Sequence, residues 1–206
     1  MIVINILEII GTIAFAISGA LRGIEKRLDI FGVAWLAITT ALGGGIFRDL
    51  ILGQTPPVAF VYPKYTIVAI VVAIITYIFN KYVDKLQPLI SLSDAIGLGV
   101  FTAMGSNAAI NLYGNEPFLV IAMGLMTGVG GGILRDIFVK DIPFVFRKEI
   151  YAVACIGGAS VFYVIYNYVP VEVGIYICFA VTFIIRMVSI KYNLNLPSKK
   201  ADSLNR

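Results

Sequence analysis

The segment GGGIFRDLILG, beginning at Gly43, returns 87 residues later as GGGILRDIFVK, beginning at Gly130. Each copy lies in an apolar stretch and sets an Arg-Asp pair, Arg48-Asp49 or Arg135-Asp136, three residues past its third glycine. The register continues upstream, where Glu8, Gly11, Phe15 and Gly19 match Asp94, Gly97, Phe101 and Gly105 at a displacement of 86. Downstream, Pro57 and Phe60 match Pro143 and Phe146 at the same displacement. A chain built this way uses one structural unit twice, with its unusual residues at equivalent points of both copies.

The solvent for this unit is lipid. Hydrophobic residues make up 59% of the 206 and charged residues 14%, with a mean hydropathy of +0.92, whereas soluble domains carry ~25% charge. The absence of histidine removes imidazole acid–base chemistry and imidazole metal sites. Cys155 and Cys178 stand alone in separate apolar segments and read as buried fillers. Nothing in the sequence calls for a catalytic group, a cofactor, a fixed metal or a nucleic-acid partner, and no enzyme is expected.

A helix crossing the hydrocarbon needs ~20 mostly apolar residues. Seven segments qualify: Ile2–Ala20, Ile30–Leu52, Val58–Phe79, Pro88–Ala109, Pro117–Phe138, Ile150–Val169 and Val171–Ile190. The expected fold is an all-α membrane protein with seven transmembrane helices. A single domain over 1–190 holds repeat one (about 2–79), repeat two (about 88–169) and a seventh helix (171–190), before a polar cytoplasmic tail at 191–206. The seventh segment carries Glu172 and Arg186, and the latter is expected to snorkel to the interface. Three spans per repeat, an odd number, make the second copy enter the membrane upside down. With the amino terminus outside, 14 of the 16 Lys and Arg residues fall on the cytoplasmic side and only Arg48 and Lys64 outside. That asymmetry places the amino terminus out and the carboxyl terminus in the cytoplasm.

Inverted repeats with glycine-interrupted helices at matching positions point to a transport pathway at the repeat interface. Gly43, Gly44 and Gly45, with Gly130, Gly131 and Gly132, are therefore candidate pore or hinge residues: three glycines weaken a helix and let carbonyls turn toward water. The alternative is close helix packing, which small residues also serve. Adjacent residues on a helix diverge, so the Arg and Asp of one pair are not expected to be partners. Topology instead pairs Glu8 with Arg48 near the outer leaflet and Asp94 with Arg135 near the inner one. These acids and arginines, with Asp49 and Asp136, are candidate pore or gating charges, or structural clasps between helices. Ser18, Thr39, Thr40, Ser106, Asn107 and Thr127 are expected to hydrogen-bond across helices. The tyrosines, Tyr65 and Tyr151 among them, read as an aromatic belt.

Two GGGxxRD blocks in a six-span inverted duplication with a seventh span resemble the prokaryotic branch of the TRIC (trimeric intracellular cation) channels. The resemblance covers nearly the whole chain. It implies a homotrimer whose protomers each carry a pore for monovalent cations, chiefly potassium, between kinked second and fifth helices at Gly43–Gly45 and Gly130–Gly132. Animal members replace the first glycine block with a Lys-Glu motif that binds an inositol lipid, and this chain keeps glycines there. The same fold includes bacterial proteins described as glycine or small-metabolite carriers. Two functions follow: a potassium and sodium channel of a prokaryotic plasma membrane, with membrane lipid, its own copies and permeant ions as partners, or a secondary carrier for glycine or another small metabolite.

Overall fold

A computed structural model describes residues 2–80, 86–114, 116–147 and 150–194; these residues are helical, joined by turns, with no strand among them. Repeat one comprises α1 (Ile2–Glu25), α2 (Ile30–Ile51), the short α3 (Val58–Val61) and α4 (Lys64–Phe79). Repeat two comprises α5 (Leu86–Tyr113), α6 (Pro117–Phe138), the short α7 (Phe144–Arg147) and α8 (Ile150–Ile165); α9 (Val171–Tyr192) follows. Residues 195–206 of the expected tail lie outside the described residues, and α9 extends past the expected boundary to Tyr192.

Among the described residues, five helices, α1, α2, α5, α6 and α9, are long and apolar enough to cross a bilayer. The third and sixth expected spans need correction. Val58–Phe79 is not one helix: it breaks at Tyr62-Pro63, because proline cannot donate the amide that would carry α3 into α4. The sixth span ends at Ile165 and is preceded by α7 in a stretch expected to be a loop. At 16 residues each, α4 and α8 reach about 24 Å at the helical rise, short of the ~30 Å hydrocarbon.

Equivalent ends are capped equivalently. The first helix of each repeat ends on a left-handed residue, Arg27 (φ 58°) or Gly114 (φ 77°), and the second on Gly53 (φ 72°) or Lys140 (φ 58°). Such a residue turns the chain back so that its amide meets an orphan carbonyl of the last turn.

The halves meet through reciprocal contacts, the signature of a twofold relation. Phe15 and Phe101 stack with centroids 5.2 Å apart. Gly11 lies against Val100 and Phe101, and Gly97 against Phe15. Within each half, Gly19 meets the Leu36 carbonyl and Thr40, while Gly105 meets the Met123 carbonyl and Thr127. The fold is thus two inverted repeats, each of three main helices and one short one, around a pseudo-twofold axis, plus α9.

That last helix docks on one half only. Gly99 admits Phe179, Gly158 admits Thr182 and the Cys178 carbonyl, and Gly157 faces Ile185. The positions related by 86 in repeat one are Ile13, Val72 and Val71, whose branched side chains deny a ninth helix the same approach. Cys155 and Cys178 are free and buried. Gly158→Ala sets a methyl group against Thr182 and 2.9 Å from the Cys178 carbonyl oxygen. It is expected to lower stability by about 1–3 kcal/mol in thermal unfolding of the detergent-solubilised protein, and Val72→Ala is expected to cost less.

Candidate functional site

Asp49 and Asp136 hold the same position in each repeat. Asp49 Oδ1 accepts from Arg48 Nε at 2.8 Å and Oδ2 from the Val58 amide at 2.8 Å, which opens α3. Asp136 Oδ1 accepts from Arg135 Nε at 2.8 Å and Oδ2 from the Phe144 amide at 2.9 Å, which opens α7. A carboxylate at a helix start satisfies an orphan amide and meets the positive end of the helix. The expectation that adjacent Arg and Asp residues avoid each other is therefore wrong here. Their stems leave the helix in different directions, but the long arginine curls back at the last turn and Nε reaches the neighbouring carboxylate.

Beyond this shared core the two clusters differ. In repeat two, Arg135 is fully buried; its Nη1 donates to Asp94 Oδ1 and to Ser18 Oγ, each at 2.6 Å, and the guanidinium lies 5.0 Å from the Phe144 ring centre. One side chain of α6 thereby ties α1 to α5. Tyr151 stands beside it: a point one bond from Gly132 Cα lies 3.0 Å from the Tyr151 hydroxyl, 3.7 Å from Asp94 Oδ1 and 3.8 Å from Arg135 Nη2. The Tyr151 hydroxyl, Asp94 Oδ2 and Arg135 Nη2 are buried without a well-aligned hydrogen-bond partner.

In repeat one, Arg48 makes no ion pair with Glu8 among the described residues. Glu8 accepts a hydrogen bond from the Tyr65 hydroxyl instead. Glu8, Arg48, Asp49, Tyr65, Thr12 and Gly45 line a cavity of about 40 Å³, room for about three waters. Glu8 and Arg48 also border a wider cavity of about 210 Å³ with Gln54, Asn107 and Asn111. The expected inner pair, Asp94–Arg135, is formed; the expected outer pair shares a cavity without touching.

Between the clusters, α2 and α6 run unbroken through their glycine triplets, contrary to the expected interruption. The triplets bring two backbones together. Gly44 rests on the Thr127 carbonyl and Gly131 on the Thr40 carbonyl, and a methyl at Gly130 would lie 3.0 Å from Gly44 Cα. Any side chain at Gly44 or Gly131 would collide with a carbonyl oxygen.

Several polar residues behave differently from expectation. Thr39, Thr40 and Thr127 donate to carbonyls of their own helices, so only Ser18 and Ser106 of that set bond across helices, Ser106 to the Val120 carbonyl at 3.1 Å. Short hydroxyls reach the carbonyl one turn back before they reach a neighbour. Tyr65 and Tyr151 are buried and do not belong to an aromatic belt; their spacing of 86 was the signal that places them with Glu8 and Asp94. Arg186 does not snorkel: it is buried, and its guanidinium lies 4.8 Å from the Tyr151 ring centre. At one end of the molecule Arg22 and Lys26 of α1 both pair with Asp141 after α6. The Lys26 hydrogen bond, then Arg22, holds the Asp141 carboxyl below its ordinary range. This latch contributes fully above the ordinary carboxylate pKa and is lost only as pH falls through the lowered one.

Double-mutant cycles should separate the clusters. Arg135→Ala leaves two buried carboxylates uncompensated and is expected to cost about 3–5 kcal/mol. Coupling between Arg135→Ala and Asp94→Asn should exceed about 1 kcal/mol, whereas Arg48→Ala and Glu8→Gln should couple by less than about 0.5. Equal coupling energies, read from thermal unfolding of the four variants of each cycle, would contradict the asymmetry.

The geometry recurs in known proteins. A family model described as glycine transporter matches twice, over residues 5–81 and 91–167, once per repeat. The UPF0126 inner membrane protein YadS of Escherichia coli K12 is 39% identical over 203 residues, 97% of this chain and 98% of that protein. A prokaryotic TRIC channel crystallised in 0.5 M KCl superposes with a TM-score of 0.90 at 38% identity, covering 95% of this chain and 99% of that one. The TRIC trimeric intracellular cation channel orthologue from Rhodobacter sphaeroides gives 0.90 at 33% identity, covering 94% and 100%. With a family model spanning both repeats and relatives of this similarity over nearly the full chain, the protein belongs to the family of the UPF0126 membrane proteins and prokaryotic TRIC channels.

Proposed function

We propose that this chain is a passive channel for monovalent cations, potassium and sodium, in a bacterial plasma membrane. Three copies assemble, and each carries its own pathway between α2 and α6. The observation that carries the reading is the sequence of elements along those two helices: a cavity with room for water at Glu8, Arg48 and Asp49, then a crossing made only of backbone at Gly44 and Gly131, then the charged cluster at Asp94 and Arg135. The described likeness to solved TRIC channels supports the same reading.

At Gly44 and Gly131 backbone meets backbone, with the Leu134 side chain of α6 packed beside them on Gly43. Parting the helices by a few ångströms exposes the Thr40 and Thr127 carbonyls to the gap, and carbonyl rings are how channels replace an ion's hydration. In the present arrangement the backbones touch and the path is shut there. The Gly43–Gly45 and Gly130–Gly132 triplets then act as the gate, and Glu8, Arg48, Asp49, Asp94, Arg135 and Asp136 set the field at the two mouths. The transmembrane unit runs to the end of α9, with the amino terminus outside and the polar tail in the cytoplasm.

A carrier for glycine is the second reading, favoured by the description of the matching family model and by a cavity offering both a guanidinium and a carboxylate to a zwitterion. Planar-bilayer recording in asymmetric potassium chloride decides between them. Unitary currents reversing near the potassium potential are expected; electrically silent, saturable glycine uptake with counterflow would replace the channel with the carrier.

Gly44→Leu and Gly131→Leu each force a branched side chain against a carbonyl oxygen at the crossing; they are expected to lower the yield of assembled protein and, in the fraction that assembles, to change potassium flux by about tenfold or more. Wild-type flux from assembled variants would remove the crossing from the pathway. For orientation, Gln54→Cys is expected to react with an impermeant thiol reagent from the periplasmic side and Lys140→Cys, its equivalent in repeat two, from the cytoplasmic side. Labelling of both from one side would refute the inverted arrangement in the membrane.

A further inference from the structure

Arg186 is the one arginine of the seventh helix, and the duplication supplies no counterpart for it. It is 1% exposed, makes no ion pair among the described residues, and its Nε has no hydrogen-bond partner. It faces the ring of Tyr151, whose hydroxyl belongs to the polar centre formed with Asp94 and Arg135. A charge buried without a carboxylate partner is costly, so its field is not consumed locally. It acts on the cluster beside it.

Charge counts at the two mouths then differ. The repeat-one cluster holds Glu8, Asp49 and Arg48, a net of −1. Lys64 lies over the outer face of Tyr65, but it is exposed to solvent and does not line the cavity. The repeat-two cluster holds Asp94, Asp136 and Arg135, also −1, until Arg186 brings it to zero. The adjacent latch adds nothing, since Arg22 and Lys26 balance Glu25 and Asp141. Among the buried and half-buried groups of the two clusters, the difference in net charge comes from α9 alone.

We propose that Arg186 is a rectification determinant: it neutralises the mouth on the Arg135 side, so that cations concentrate at the Glu8 mouth and current flows more readily from that side. The inference rests on the channel reading above. A negative mouth enriches permeant cations and raises their entry rate, and the enrichment falls as salt screens it.

The test is unitary current in planar bilayers with equal potassium chloride on both sides. The Glu8 side is identified by block of a Gln54→Cys variant with an impermeant thiol reagent. At about 50 mM salt the wild-type current entering from the Glu8 side is expected to exceed the reverse current by about twofold. The ratio should approach unity at about 1 M, where the screening length is ~3 Å. Arg186→Gln is expected to bring the low-salt ratio near unity by raising current from the Arg135 side, and Arg186→Lys should keep the wild-type ratio. A purely structural role would not produce a salt-dependent ratio that the lysine variant preserves. Ohmic wild-type currents at low salt, or unchanged rectification in Arg186→Gln, would overturn the inference and leave the channel standing. Wild-type protein without any unitary current would overturn the channel reading and this inference together.

Discussion

Everything in this molecule is arranged around the contact of two helix backbones. Where α2 crosses α6, Gly44 lies on the Thr127 carbonyl and Gly131 on the Thr40 carbonyl. Neither approach tolerates a Cβ, so the crossing fixes glycine at both places and sets the distance between the repeats. The same logic spreads outward: Gly19 and Gly105 seat α1 on α2 and α5 on α6, and Gly11 and Gly97 seat the stacked phenylalanines at the centre. In lipid, where no hydrophobic force pulls helices together, such close approach supplies the packing energy that association requires. A contact made of small surfaces is also the easiest to part, which suits a crossing proposed as a gate.

The Arg-Asp pairs explain how charge survives near that crossing. Each aspartate has two duties, neutralising its own arginine and receiving the first amide of a short helix. What remains of each arginine is free to respond to its surroundings. Arg135 spends that remainder on Asp94 and Ser18, tying α1 to α5. Arg48 has Glu8 nearby but across a cavity, while Glu8 is engaged by Tyr65. One sequence motif thus occupies two arrangements in a single molecule, one clasped and one open to water. Two clusters that differ in this way are what an inverted duplication looks like when the symmetry of its chain is not the symmetry of its state.

Much of this was legible beforehand because it depended on composition and register. The duplication and the Asp94–Arg135 pair followed from the displacement of 86–87. The failures share a cause: they turned on where a side chain or backbone goes over a single turn. Arg48 and Arg135 curl back along their helices, Thr40 and Thr127 bond within theirs, and the glycine triplets stay helical because a facing backbone holds them. Tyr65 and Tyr151 were misplaced for a different reason. Their spacing of 86 sets them in register with Glu8 and Asp94, inside the bundle and not at its surface.

The seventh helix is where register stops helping, and where the two halves become unequal. Its docking is decided by residues that differ between repeats, Gly99, Gly157 and Gly158 against Ile13, Val71 and Val72. Divergence after duplication therefore made one flank a seat for a helix and left the other studded with branched side chains. That seat carries Arg186 to Tyr151, adding one positive charge to one cluster only. A duplicated channel with identical mouths would have no electrical direction. In the proposed reading the direction would come from outside the repeat, from a helix that the glycines of one half admit.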